Sequence, residues 1–79
     1  MAAPARYLVL IEAGGETLAR LFDAERRQVA EFDASSEEVA VMTSGLAPAR
    51  GAEPGEWGRA LQGHNADELR AARVYTLDV

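Results

Sequence analysis

The sequence predicts an α+β domain: a three-stranded antiparallel meander, then three helical segments, then a closing strand, in the order β-β-β-α-α-α-β. Three observations carry this expectation. Up to Asp33, apolar residues come in short runs separated by the turn-forming clusters Ala13-Gly14-Gly15-Glu16 and Asp23-Ala24-Glu25-Arg26-Arg27. From Ser35 onward the apolar spacing changes to that of a helix. From Arg73 the chain returns to strand-forming residues, Val74, Tyr75, Thr76, Leu77 and Val79.

The first strand is Tyr7-Leu8-Val9-Leu10-Ile11, a continuous apolar run too short for a helix and halted before a glycine pair. Such runs mark strands buried on both faces. Gly14-Gly15 supplies the positive φ of a tight turn, and Thr17-Leu18-Ala19-Arg20-Leu21-Phe22 returns as the second strand. Gln28-Val29-Ala30-Glu31-Phe32-Asp33 follows the second turn as the third. Ser35-Ser36-Glu37-Glu38 then reads as a capping box, in which the Ser35 hydroxyl and the Glu38 carboxylate each accept from the other's amide. Val39, Met42 and Leu46 fall on one face of the helix it opens.

Residues 47–56 hold Pro48, Gly51, Pro54 and Gly55 with no apolar period, and read as a mobile loop. A short helix over 56–62 carries Trp57 and Leu61 on one side, and Gly63 stands where a helix ends. Asn65 caps the third helix, with Glu68 at the third position and Leu69 and Ala72 facing inward. The final strand is expected beside the first, parallel to it through a right-handed crossover. The sheet order is then 3-2-1-4, with all helices on one face.

The 79 residues make one domain with no sub-domain boundary. A core of this size supplies only about 3–5 kcal/mol. There is no cysteine, so neither a disulfide nor a thiolate-bound metal staples it. Eight arginines, no lysine and abundant alanine are the codon signature of a GC-rich bacterial genome. Net charge −5 opposes approach to nucleic-acid phosphates. The apolar run 7–11 is shorter than the roughly 7–15 residues of a secretory core and far shorter than the roughly 20 of a membrane span, so a cytoplasmic protein is expected.

No residue pattern points to catalysis, a cofactor or a metal. Ser35, Ser36, Thr43 and Ser44 are accounted for by helix ends, and no Gly-x-Ser-x-Gly elbow exists. His64 is the single histidine, in the turn Gly63-His64-Asn65; Asp67 and Glu68 are consecutive helical residues pointing about 100° apart and do not converge on it. Segments 56–62 and 65–72 have the outline of a helix-turn-helix. The helix that would face DNA, however, carries Asp67 and Glu68 near its start, so an αα corner is expected instead.

The hairpin Leu10-Ile11-Glu12-Ala13-Gly14-Gly15-Glu16-Thr17 resembles the first phosphate-binding hairpin of the actin-like sugar kinases and ATPases. That resemblance implies glycine amides facing phosphate and an acidic residue near a metal. Glu12 stands where that family uses Asp, Glu16 adds a second negative charge, and the family's second phosphate loop and second domain have no counterpart in this chain.

Strand alternation divides the apolar residues between two faces. With every helix on one side, the face carrying Tyr7, Val9, Ile11, Leu18, Arg20, Phe22 and Val29 is left bare, a larger apolar patch than monomers usually expose. The expectation is therefore a non-enzymatic interaction or regulatory module that covers this face with a second copy or another protein. The alternative is a small-ligand- or anion-binding domain walled by the Glu12–Thr17 hairpin and the 47–56 loop. Trp57 has two roles open to it: core residue or exposed anchor for a partner.

Overall fold

The computed structural model describes residues 4–13, 15–46 and 50–77. The elements are β1 (Tyr7–Ala13), β2 (Glu16–Phe22), β3 (Gln28–Ala34), α1 (Ser36–Thr43), α2 (Pro54–Trp57), α3 (Ala66–Ala71) and β4 (Arg73–Thr76), in the expected order. They form one four-stranded sheet with strand order β3-β2-β1-β4, also as expected.

The meander is in register from Tyr7↔Phe22 to Ala13↔Glu16 and from Thr17↔Ala34 to Leu21↔Ala30. Gly15 takes the positive φ of 82° that the first turn demands. Both capping boxes form. The Ser35 hydroxyl accepts from the Glu38 amide at 3.2 Å, and the Asn65 side chain accepts from the Glu68 amide at 2.8 Å. In each, the Glu carboxylate accepts in return from the cap residue's own amide.

Two expectations are corrected. First, β4 lies beside β1 but antiparallel, pairing Tyr7↔Thr76 through Leu10↔Arg73. A crossover that ends at the opposite end of the sheet returns a parallel strand; here the chain leaves β3 and enters β4 at the same end, so β4 runs against both β3 and β1. After α1 the chain passes the outer edge of β4, where Arg50 forms an antiparallel bridge with Val74, and only then builds α2 and α3.

Second, the helices therefore cover both faces. Val39, Met42 and Leu46, from α1 and the turn after it, pack against Leu8, Leu10 and Ala19. Trp57, Leu61, Leu69 and Ala72 pack against Val9, Ile11, Phe22 and Val74 on the other side. The central strand needs this arrangement: Leu8, Val9, Leu10 and Ile11 are all buried, so neither face of β1 meets water. Complete burial of each such side chain is worth about 1.5–3 kcal/mol.

Of the stretch expected to be a mobile loop, residues 47–49 lie outside those described, and residues 50–56 make backbone contacts with β4 and α3 before the second helix opens. The Ala52 amide donates to the Leu69 carbonyl at 2.9 Å, and Ala52 is fully buried. Gly51 lies against the backbone of Arg70 so closely that a Cβ there would sit 2.6 Å from the Arg70 carbonyl oxygen. The second helix begins two residues early, at Pro54, where proline fits the first helical turn, and gives way to turns after Trp57.

Candidate functional site

The two edges of the sheet differ. β4 is four residues long, and Arg50 pairs with its outer side in both directions, donating to the Val74 carbonyl at 3.4 Å and accepting from the Val74 amide at 2.7 Å. β3 is seven residues long and pairs only with β2; among the described residues nothing pairs with its outer side. An edge strand carries a row of free N–H and C=O groups and serves as a template for another strand unless it is blunted.

The start of β3 is set by the turn before it. The Asp23 carboxylate, nearly buried, accepts from the amides of Glu25 and Arg27, both at 2.9 Å, and backbone bonds Asp23–Arg27 and Arg26–Asp23 close the turn. This geometry places Arg26 in the left-handed region at φ 61°. A register shift follows, with Leu21 opposite Ala30 but Phe22 opposite Gln28, so that Val29 is the extra residue of a bulge.

From that turn the Arg26 guanidinium lies over the rings of Trp57 and Tyr7, its Cζ 5.0 and 5.5 Å from their centroids. Glu56 lies 3.7 Å from Arg26 and 3.3 Å from Arg50. Between the turn and α2 runs a groove of about 620 Å³ lined by Glu25, Arg26, Arg27, Gln28, Glu56 and Arg59.

Along β3, Val29, Glu31 and Asp33 share the face covered elsewhere by α2 and α3, whereas Ala30, Phe32 and Ala34 share the α1 face. Glu31 accepts from Gln28 at 3.0 Å and lies 4.0 Å from Arg20. Val29 and Phe32 are each 37 % exposed, and Val41 of α1 is 76 % exposed. These are the exposed large hydrophobic residues among those described, and all three belong to β3 or to the helix that follows it. At the far end of β3 a second groove, about 390 Å³, is bounded by Glu16, Thr17, Asp33, Ser35 and Glu38.

The seven residues expected at an interface divide accordingly. Val9, Ile11 and Phe22 are buried beneath α2, α3 and Trp57, and Tyr7 packs against the same cluster. Their apolar surface is satisfied within the chain, which corrects the expectation of a bare face. Leu18, Arg20 and Val29, on the β2–β3 side beyond the helices, remain partly or fully accessible. Trp57 is a core residue, fully buried and edge-on to both Tyr7 and Phe22 with ring centroids 5.2 Å apart in each pair.

In the Gly-rich hairpin, Gly14 lies outside the described residues, and Glu12 lies 3.9 Å from Arg73 on the neighbouring strand. The described residues that line the groove beside that hairpin come from β2 and the β3–α1 junction. His64 sits against Glu68, its Nδ1 3.3 Å from the carboxylate. Among the described residues no group of three or more His, Asp or Glu is gathered to hold a metal ion, and no helix is long and apolar enough to cross a membrane.

Sequence reasoning named the covered face and passed over the free edge. The signal for the edge was present in the order 3-2-1-4, which puts β3 outermost whichever face the helices take. Comparison of the chain with protein-family models, with curated proteins and with solved structures finds no match.

Proposed function

We propose that this chain is a small, non-enzymatic protein-interaction module that engages its partner by strand addition at the outer edge of β3. The observation that carries this reading is the asymmetry of the sheet: β4 is short and bridged by Arg50, whereas seven-residue β3 has an open side flanked by Val29 and Phe32. In strand addition, main-chain hydrogen bonds provide affinity and the alternating side chains provide selectivity. Here the added strand would meet Val29, Glu31 and Asp33 on one face and Ala30 and Phe32 on the other.

The test compares wild type with Val29→Lys/Phe32→Lys, since edge lysines disfavour strand pairing. Both side chains are partly exposed, so the variant keeps its fold by circular dichroism and thermal unfolding. Proteins co-purifying with the tagged wild-type chain from its native host, further copies of the chain included, are expected to be lost from the double variant. Equal recovery by both contradicts the reading.

A further inference from the structure

The two ends of β3 carry opposite charge. Where β3 begins, Arg26, Arg27 and Arg59 outnumber Glu25 and Glu56 around the larger groove. Where it ends, Glu16, Asp33 and Glu38 surround the smaller groove with no basic residue among its lining. Between the two ends lie the partly exposed Val29 and Phe32.

An edge that runs from positive to negative, with apolar residues between, is complementary to itself reversed. We propose that the outer edge of β3 pairs antiparallel with the same edge of a second copy of this chain, making a continuous eight-stranded sheet across a two-fold axis. This rests on the strand-addition reading above and names its partner. A parallel pairing would set Arg27 against Arg27 and Asp33 against Asp33, so the charge polarity selects the antiparallel arrangement.

The same rule selects the register. A two-fold axis normal to the sheet passes through one residue pair, and each side chain meets one on the same face. Centred on Glu31, the pairing places Glu31 opposite itself. Centred on Phe32, it places Glu31 opposite Asp33, and centred on Val29 it falls on the bulge, where the regular rows stop. Centred on Ala30, it sets Val29 and Gln28, which share the bulge, opposite Glu31 of the partner subunit twice and brings the Arg26-Arg27 turn beside Asp33 of the partner subunit twice, with no like charges opposed. Such an edge covers less surface than a standard interface of roughly 1,600 Å², so the dimer is a weak one.

Arg27 and Asp33 are both exposed, so their exchange leaves the core untouched. Sedimentation equilibrium of the full chain up to about 1 mM measures the dimer, millimolar affinity being the weakest such an edge contact supports. Arg27→Glu and Asp33→Arg are each expected to weaken it by about tenfold or more, the two attractive contacts between turn and strand end becoming repulsive. The double variant Arg27→Glu/Asp33→Arg restores the pairing with its polarity reversed. A dimer indifferent to the single changes, or a double variant no better than the singles, overturns the proposal. A wild-type chain that stays monomeric at the highest concentration also overturns it, while leaving strand addition by another protein to the co-purification experiment.

Discussion

At the scale of single residues, the packing turns on Trp57, which fills the space between the α2–α3 layer and the sheet and touches Tyr7 and Phe22 edge-on. Trp57→Ala is expected to cost about 3–5 kcal/mol, comparable to the whole stability of so small a domain, and to leave the chain largely unfolded by circular dichroism. Arg26 carries two opposed terms. Its left-handed backbone costs roughly 1–2 kcal/mol, and its stacking on Trp57 and Tyr7 returns about 0.5–2 kcal/mol. Arg26→Gly removes both and is expected to change stability by less than about 1 kcal/mol in urea unfolding, whereas Arg26→Ala keeps the strain and loses the stacking, and is the less stable of the two.

Glu68 supplies the pH dependence at this scale. The Asn65 backbone amide, and after it the His64 ring, hold its carboxyl below its ordinary value of 4.5. A depressed pKa in the folded state gives a contribution present above the unfolded value and lost as pH falls through the folded one. Glu68→Gln should therefore flatten the acid side of the stability–pH profile below about pH 4.5 and leave the neutral region comparatively unchanged. An unaltered acid limb would contradict this.

At the scale of elements, strands and caps were legible because their signals are local. A Gly-Gly turn, a run of five apolar residues, and Ser or Asn three positions ahead of Glu each specify their structure without reference to the rest of the chain. Residues 50–53 were illegible for the opposite reason. They are held by backbone contacts, the Arg50–Val74 bridge and the Ala52–Leu69 bond, which leave no pattern in side-chain type. The trace they do leave is Gly51, whose missing side chain lets the strap lie against α3. Gly51→Ala is expected to destabilise by about 1–3 kcal/mol as the strap is pushed off the Arg70 backbone. Gly15→Ala is a useful comparison: it meets open space and strains only the backbone at φ 82°.

At the scale of the whole molecule, the order 3-2-1-4 was legible because a two-sided apolar strand must lie inside the sheet and a returning strand has one free side of it to occupy. Which face each helix takes was not. Val39, Met42 and Leu46 are as apolar as Trp57, Leu61 and Leu69, and nothing local records that the chain turns the corner at Arg50. With both faces covered, Val9→Arg forces an unpaired charge into the core and should abolish cooperative unfolding. A folded Val9→Arg variant would mean that face is open to solvent.

With helices on both faces of the sheet, the strand edge left unpaired among the described residues is that of β3, and the functional reading stands on it. Amide spectra of the labelled chain recorded over a dilution series test that claim most directly, because each β3 residue reports separately. The account predicts concentration-dependent shifts and added exchange protection confined to residues 27–34 and the adjoining side of α1, with α3 and β4 unchanged. Shifts centred on α3 or β4 would contradict the reading of the β3 edge, and spectra invariant from about 10 μM to 1 mM, the range spanned by weak edge contacts, would contradict self-pairing there.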